Sequence, residues 1–90
     1  MKKINYLYKE VNEMSIKNML PTNLLNDFKS YLEEKGFMIL RPVGSYEVLR
    51  AKRGKEFVLI FRQDKNKNYL SFQDKDYVWV NDFLKQKGKI

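Results

Sequence analysis

The hydrophobic pattern of the chain changes its period once, at Gly36, and this change constrains the fold more than any other feature. Before Gly36, apolar residues recur every three or four positions, as they do on one face of an α-helix. From Phe37 onward they alternate with polar residues or form short continuous runs, which is typical of β-strands. A chain of 90 residues has the length of one small domain. We therefore expect a single α+β domain over residues 1–90.

The helical part contains two predicted helices. The first forms an N-terminal helical segment within residues 1–20 and runs from Lys3 to about Met14. Pro21 ends any helix that approaches it, because proline lacks an N–H and disfavours helix in the residue before it. The second helix follows, with Thr22 or Asn23 as its N-cap and Gly36 as its left-handed stop. The apolar faces are Ile4, Leu7, Tyr8 and Val11 in the first helix, and Leu24, Leu25, Phe28, Tyr31 and Leu32 in the second.

The strand pattern predicts a three- to four-stranded antiparallel sheet. The predicted strands are residues 37–41, 46–51, 56–62 and 69–73. In the second of them, Tyr46 and Val48 should face one side and Glu47 and Leu49 the other. The third is apolar on both sides, so it belongs in the centre of the sheet, and the turn before it (residues 52–55) contains Gly54.

A C-terminal helix completes the expected two-layer domain. Asp74 or Asp76 would cap it, and its apolar stripe is Tyr77, Val80, Phe83 and Leu84. The β-branched residues around Trp79 leave a further strand over residues 77–80 as the alternative. The expected domain therefore has a helix–sheet–helix core over residues 22–87, with helices on one face of the sheet. The sequence leaves open which face of the sheet is exposed.

The chain has no histidine and no cysteine, and this excludes most catalytic and metal chemistry. This excludes disulfide frameworks, Ser-His-Asp triads and any zinc, haem or iron–sulfur site that needs histidine or cysteine ligands. Asp74 and Asp76 could share a metal ion on a loop, but we interpret them as helix caps, which need no metal to explain them. Neither Glu47 nor Glu56 starts the Glu-x-Lys pattern of metal-dependent nucleases, and the four glycines are isolated. We expect no enzymatic activity, no metal and no cofactor.

Positive charge is concentrated in one stretch of the chain. The whole chain has a net charge of +7, and residues 41–67 hold eight basic residues against three acidic ones. Such a stretch would neutralise phosphates, so we expect sequence-independent, salt-sensitive binding to DNA or RNA. Five phosphate contacts would give a log–log salt slope of roughly −3.5 on single strands. The candidate backbone contacts are Arg50, Lys52, Arg53, Lys55, Arg62, Lys65 and Lys67, and the candidate base-stacking residues are Tyr46 and Tyr69.

This prediction of nucleic-acid binding can be tested by mutation, and it has an alternative in which the cations bind no partner. Reversing Lys52, Arg53 and Lys55 to glutamate should weaken binding broadly and leave the fold intact. In the ordinary alternative, the same cations only solvate a hairpin and keep its edge unpaired.

The order of elements from Thr22 to Lys87 resembles that of the double-stranded RNA-binding domain, which is helix–strand–strand–strand–helix. That family has a lysine cluster at the start of its last helix. This chain has Asp74-Lys75-Asp76 there, which would repel phosphate. The resemblance is therefore one of element order and not of motif.

A second functional hypothesis is a small protein-binding regulator. In this case the cations would steer the chain to an acidic surface of a nucleic-acid-handling enzyme, and Trp79 or Tyr46 would be the anchor. Inhibitors encoded by mobile elements are compact proteins of this kind. The first helix could also pair two chains, so we expect a monomer or a weak homodimer. No apolar run approaches the ~20 residues of a membrane span, so we expect a cytoplasmic protein without a membrane partner.

Overall fold

The computed structural model describes residues 19–88, which form an α+β domain. The first predicted helix, and with it the proposed pairing seam, lies outside these residues. In chain order the elements are β1 (Met19–Pro21), a 3₁₀ turn (Thr22–Leu24), α1 (Leu25–Glu34), β2 (Met38–Leu40), β3 (Glu47–Arg53), β4 (Glu56–Phe61), β5 (Tyr69–Phe72), a second 3₁₀ turn (Asp74–Asp76) and α2 (Tyr77–Gln86).

The sheet has five strands in the order β1-β5-β4-β3-β2, and all neighbouring pairs are antiparallel. The predicted central position of the strand at residues 56–62 is confirmed, since β4 lies in the middle. The prediction of three or four strands missed β1, where Met19 and Leu20 extend along β5 and are not helical. Three residues are too few to show an alternating pattern, and Pro21 is tolerated because β1 is an edge strand.

Both described helices pack on one face of the sheet, as expected. Phe28 of α1 lies 5.2 Å from Phe83 of α2 between ring centroids, and the Tyr31 hydroxyl donates a 2.6 Å hydrogen bond to Asp82. Burial and this carboxylate together raise the pKa of Tyr31. Residues 77–80 are helical, so the strand alternative there is wrong. The core under the helices consists of Leu20, Phe28, Tyr31, Leu32, Phe37, Leu49, Ala51, Val58, Ile60, Leu70, Phe72, Val80 and Phe83.

The helix stop is confirmed, but the predicted N-caps are wrong. Gly36 has a φ of +94°, a left-handed conformation that glycine adopts without strain. At the other end, α1 begins after Leu24 and has no side-chain cap, because the Thr22 hydroxyl instead donates to the Lys67 carbonyl oxygen at 2.8 Å. This bond fastens the start of the helical segment to the β4–β5 turn.

Asp76 occupies the N-cap position of α2, as predicted, but its side chain forms no capping hydrogen bond. Its side chain is buried, and its Oδ2 accepts a 3.2 Å hydrogen bond from the Leu59 N–H. The Lys75 ammonium pairs with the same carboxylate at 2.8 Å and donates to the Phe57 carbonyl oxygen. Within β4, only Ile60 and Phe61 pair with β5, so the side chains of Asp76 and Lys75 satisfy backbone groups of β4 beyond the end of β5.

The predicted alternation across β3 is wrong at its start, because the strand contains a β-bulge. Its register shifts between Glu47 and Leu49, with Glu47 opposite Phe61 and Leu49 opposite Ile60. One extra residue inverts the phase of the alternation. Val48 and Leu49 therefore both pack toward the core, while Glu47 lies on the opposite face together with Arg50.

Candidate nucleic-acid interface

The structure divides the predicted cation cluster between the two ends of the sheet. The β3–β4 turn, which holds Lys55, precedes β4, and the turn that holds Lys65 and Lys67 follows it. A strand of this length spans about 20 Å at ~3.3 Å per residue. These residues therefore do not form a single compact patch. Lys55 lies at one end and Lys65 and Lys67 lie at the other end of a strip of sheet formed by β3, β4 and β5, and Lys52 lies on this strip.

Arg53 is built into the fold. Its guanidinium carbon lies 4.8 Å from the centroid of the Phe37 ring and 4.9 Å from that of Trp79. It also donates to the Lys35 carbonyl oxygen at 3.0 Å and pairs with Glu56 at 2.7 Å. Reversing Lys52, Arg53 and Lys55 together would therefore disturb packing as well as charge, so the expectation of an intact fold does not hold for that variant.

Arg62 and Tyr46 belong to a second internal network. The Arg62 guanidinium lies 4.6 Å from the centroid of the Tyr46 ring, donates to the Ser45 carbonyl oxygen at 2.8 Å and pairs with Asp64 at 2.9 Å. The Tyr46 hydroxyl donates to Asp64 at 2.7 Å. That bond, together with the Arg62 charge, lowers the pKa of Asp64, and the carboxylate raises the pKa of Tyr46. The Tyr46 ring is exposed, but Arg62 lies over it.

Arg50 has its own acidic partner on the face of the sheet opposite the helices. Glu47 accepts two hydrogen bonds from the Arg50 guanidinium, at 2.6 and 3.0 Å, and a third from the Val43 N–H at 3.0 Å. The Glu47 side chain is only 5% exposed. The hydrogen bonding from Arg50 holds the pKa of this carboxyl below its usual range. All three candidate arginines are thus paired with a carboxylate.

The four candidate lysines differ from the arginines. Lys52, Lys55, Lys65 and Lys67 are all exposed, and within residues 19–88 none of them forms a salt bridge. The Lys52 ammonium lies 5.5 Å from the centroid of the Phe57 ring on the neighbouring strand. These lysines are the candidate side chains whose charge is available to an external anion.

Aromatic side chains that were not among the predicted site residues lie on the same strip of sheet. Phe57 is opposite Lys52, and Phe61 is opposite Ser71, so both rings face away from buried Val58 and Ile60. They are half-buried and do not belong to the core under the helices. Tyr69, a predicted stacking residue, is exposed on the same face, two residues before Ser71. The unbroken apolar run in β4 concealed these rings, because it fits a strand buried on both sides.

Trp79 and Tyr46, the two anchors of the protein-binding hypothesis, differ in how exposed they are. Trp79 is half-buried, and its ring stands edge-on to Phe37 at 5.1 Å and contacts Arg53. Tyr46 is 49% exposed within the network described above. Trp79 thus already has a packing role in the domain.

Charge separates between the two layers of the domain. Residues 37–73, which contain four of the five strands, hold eight basic and three acidic residues, a net charge of +5. The two helical segments, residues 22–36 and 74–88, together hold five basic and six acidic residues. Residues 19–88 contain no group of three or more acidic side chains that could hold a metal ion. Over the same range, no helix has the length and hydrophobicity needed to cross a bilayer.

Comparison with known proteins gives no relative on which a function could be based. No family model matches the chain, and no curated protein or solved structure matches it. Function must therefore be argued from the geometry of the sheet and its cations.

Proposed function

We propose that this chain is a nucleic-acid-binding module that contacts the sugar-phosphate backbone through its sheet layer. The observation that carries the proposal is the separation of charge, with a net charge of +5 on residues 37–73 and a slightly acidic helical layer. A polyanion would be attracted to one side of the domain and not to the other. Backbone contacts of this kind are independent of sequence and release bound counterions.

Lysines would make most of these contacts. Arg50, Arg53 and Arg62 are each paired with a carboxylate, so a phosphate would have to compete with an existing partner. Lys52, Lys55, Lys65 and Lys67 form no salt bridge among residues 19–88, and only Lys67 is near enough to a carboxylate, Asp64, for its charge to lower the pKa of that group. Four contacts predict a log–log salt slope of about −3 on single strands, slightly shallower than the five contacts considered from the sequence.

The test compares two double variants of the full chain with the same net charge. Lys52→Gln with Lys55→Gln removes two cations from the sheet layer, and Lys29→Gln with Lys85→Gln removes two exposed cations from the helices. Affinity for fluorescently labelled DNA and RNA would be measured from about 50 to 300 mM salt. The sheet variant should bind more weakly, with a salt slope shallower by about 1.4, since each lost contact removes ~0.7. The helix variant should bind as the wild type does.

Equal losses in both variants would contradict the proposal, because they would show attraction to net charge alone. Absence of binding near physiological salt would also contradict it. That second result would favour the protein-binding regulator, whose cations would meet an acidic protein surface.

A further inference from the structure

The sheet face opposite the helices carries apolar and cationic side chains side by side. Phe57, Leu59 and Phe61 alternate with core residues along β4, and they are half-buried without joining the helix-side core. Cross-strand pairing places Lys52 beside Phe57 and Arg50 beside Leu59. No helix of residues 19–88 packs on this face. We refer to it below as the open face.

We propose that the open face binds single-stranded nucleic acid, with unpaired bases stacking on Phe57 and Phe61. This inference rests on the nucleic-acid-binding function proposed above and specifies its substrate class. Base stacking on aromatic rings tolerates any sequence, because every base has a π-face. The lysines at the two ends of β4 lie where a strand that crosses the face would place its phosphates.

The geometry favours unpaired bases over a duplex. Bases inside a duplex are stacked on their neighbours, so rings on a sheet surface cannot reach their faces without unstacking them. Phe57 and Phe61 are four residues apart on one strand, which is about 13 Å. Two bases of an extended single strand can each meet one of these rings. Tyr69, on the adjoining strand, offers a further ring on the same face.

The cations beside Phe57 are compatible with a stacked base. The Lys52 ammonium and the Arg50 guanidinium lie 5.5 and 5.7 Å from the ring centroid. Lys52 is exposed on a flexible side chain, so its ammonium can turn to a phosphate when a base takes its place over the ring. Arg50 is kept in place by Glu47 and would border the base.

Charge complementarity favours single-stranded nucleic acid on the open face over two other occupants, which are residues 1–18 of this chain and a second copy of the chain. Residues 1–18 contain four lysines and two glutamates, so this segment is cationic, as the sheet layer is. A second copy of the chain would present the same cationic face. A single-stranded polyanion with hydrophobic bases complements both the charge and the aromatic surface.

The experiment measures the affinity of the full chain for a short labelled single strand and for the duplex of the same sequence. Phe57→Leu with Phe61→Leu removes both rings but keeps apolar side chains of similar size. We expect the wild type to prefer the single strand and the double variant to lose about tenfold or more of that affinity. Its salt slope should stay unchanged, because no phosphate contact is removed. Tyr77→Leu is the control, since it removes a half-buried ring from the helical layer.

The outcomes separate this inference from the proposed function. Duplex binding as tight as single-strand binding, or unchanged affinity in the double variant, would overturn the inference and leave nucleic-acid binding in place. Absence of binding to either form would overturn the proposed function.

Amide chemical shifts of the wild type provide a second measurement if the double variant does not fold. Shifts caused by the single strand should map to β3, β4 and β5. Shifts confined to the helices, or no shift at Phe57 and Phe61, would overturn the inference and indicate that residues 1–18 or a second copy occupies the face.

Discussion

The two faces of β4 carry similar side chains and yet have different surroundings. Val58 and Ile60 are fully buried under the helices, whereas Phe57, Leu59 and Phe61 are half-buried on the open face. Two cations, Lys52 and Arg50, lie near the Phe57 ring on that face. A run of apolar residues shows that a strand is hydrophobic on both sides, but not what covers each side. The difference between the faces comes from the partner elements, and it determines which positions contribute to stability and which to binding.

Alanine substitutions at neighbouring positions of β4 test this difference most directly. Ile60→Ala leaves a cavity in a closed core and should lower the free energy of unfolding by about 2–5 kcal/mol. Leu59 lies on the open face, and its side chain is already partly in water. Leu59→Ala should therefore lower the free energy of unfolding by only about 1 kcal/mol. Urea denaturation of the full chain measures both. A loss at Leu59 as large as that at Ile60 would show that the open face is covered in solution.

The buried carboxylate of Asp76 bonds to β4 beyond the end of β5, and substitutions there test how firmly the helical layer holds this strand. Asp76→Ala leaves the Leu59 N–H without its acceptor and Lys75 without its buried partner, so it should cost about 2 kcal/mol. Asp76→Asn should cost less, since its amide oxygen can still accept from Leu59. Hydrogen exchange of the Leu59 amide should accelerate in the alanine variant. Unchanged exchange would mean that this hydrogen bond does not protect the strand.

The smallest expected effect concerns the carboxylate on the other face, Glu47. Arg50 holds its pKa below the unfolded value, so its contribution to stability is complete above the usual glutamate pKa of about 4.3. The contribution disappears as the pH falls through the lowered pKa of the folded state. Glu47→Gln should therefore be less stable than the wild type at neutral pH. The two proteins should converge in stability on acidification, which thermal unfolding at a series of pH values would show. A stability difference that does not change with pH would contradict the ion pair.

Local patterns in the sequence were sufficient for much of the fold. The stripe that includes Phe28 and Leu32 identified α1, Gly36 marked its end, and the apolar run of residues 56–62 identified the central strand. Each of these signals involves a few neighbouring residues and one strong preference. β1 was missed because its three residues become a strand only through pairing with β5. The expected side-chain caps do not form at Thr22 and Asp76, because both side chains bond to distant backbone groups.

The candidate site was predictable only as a set of cations. Composition identified the basic stretch, but pairing in three dimensions divides it into arginines held by carboxylates and lysines without such partners. Arg53 shows why this division could not be predicted from the sequence, because its contacts with Phe37 and Trp79 join residues far apart in the chain. The aromatic rings of the open face could have been suspected from one signal. In an antiparallel hairpin with the turn at Gly54, Lys52 lies opposite Phe57, and both then lie on one face.

The bulge in β3 has a consequence for how this chain tolerates changes in length. Residues i and i+3 of a regular strand point to opposite faces, so Glu47 reaches Arg50 only because of the extra residue between them. Deleting Val48 would remove the bulge and leave Glu47 opposite Phe61, two residues from Arg50 on the same face, so the ion pair would remain. The deletion would take one apolar side chain from the border of the core. This strand should therefore tolerate the loss of one residue between Glu47 and Leu49 better than the loss of the carboxylate itself.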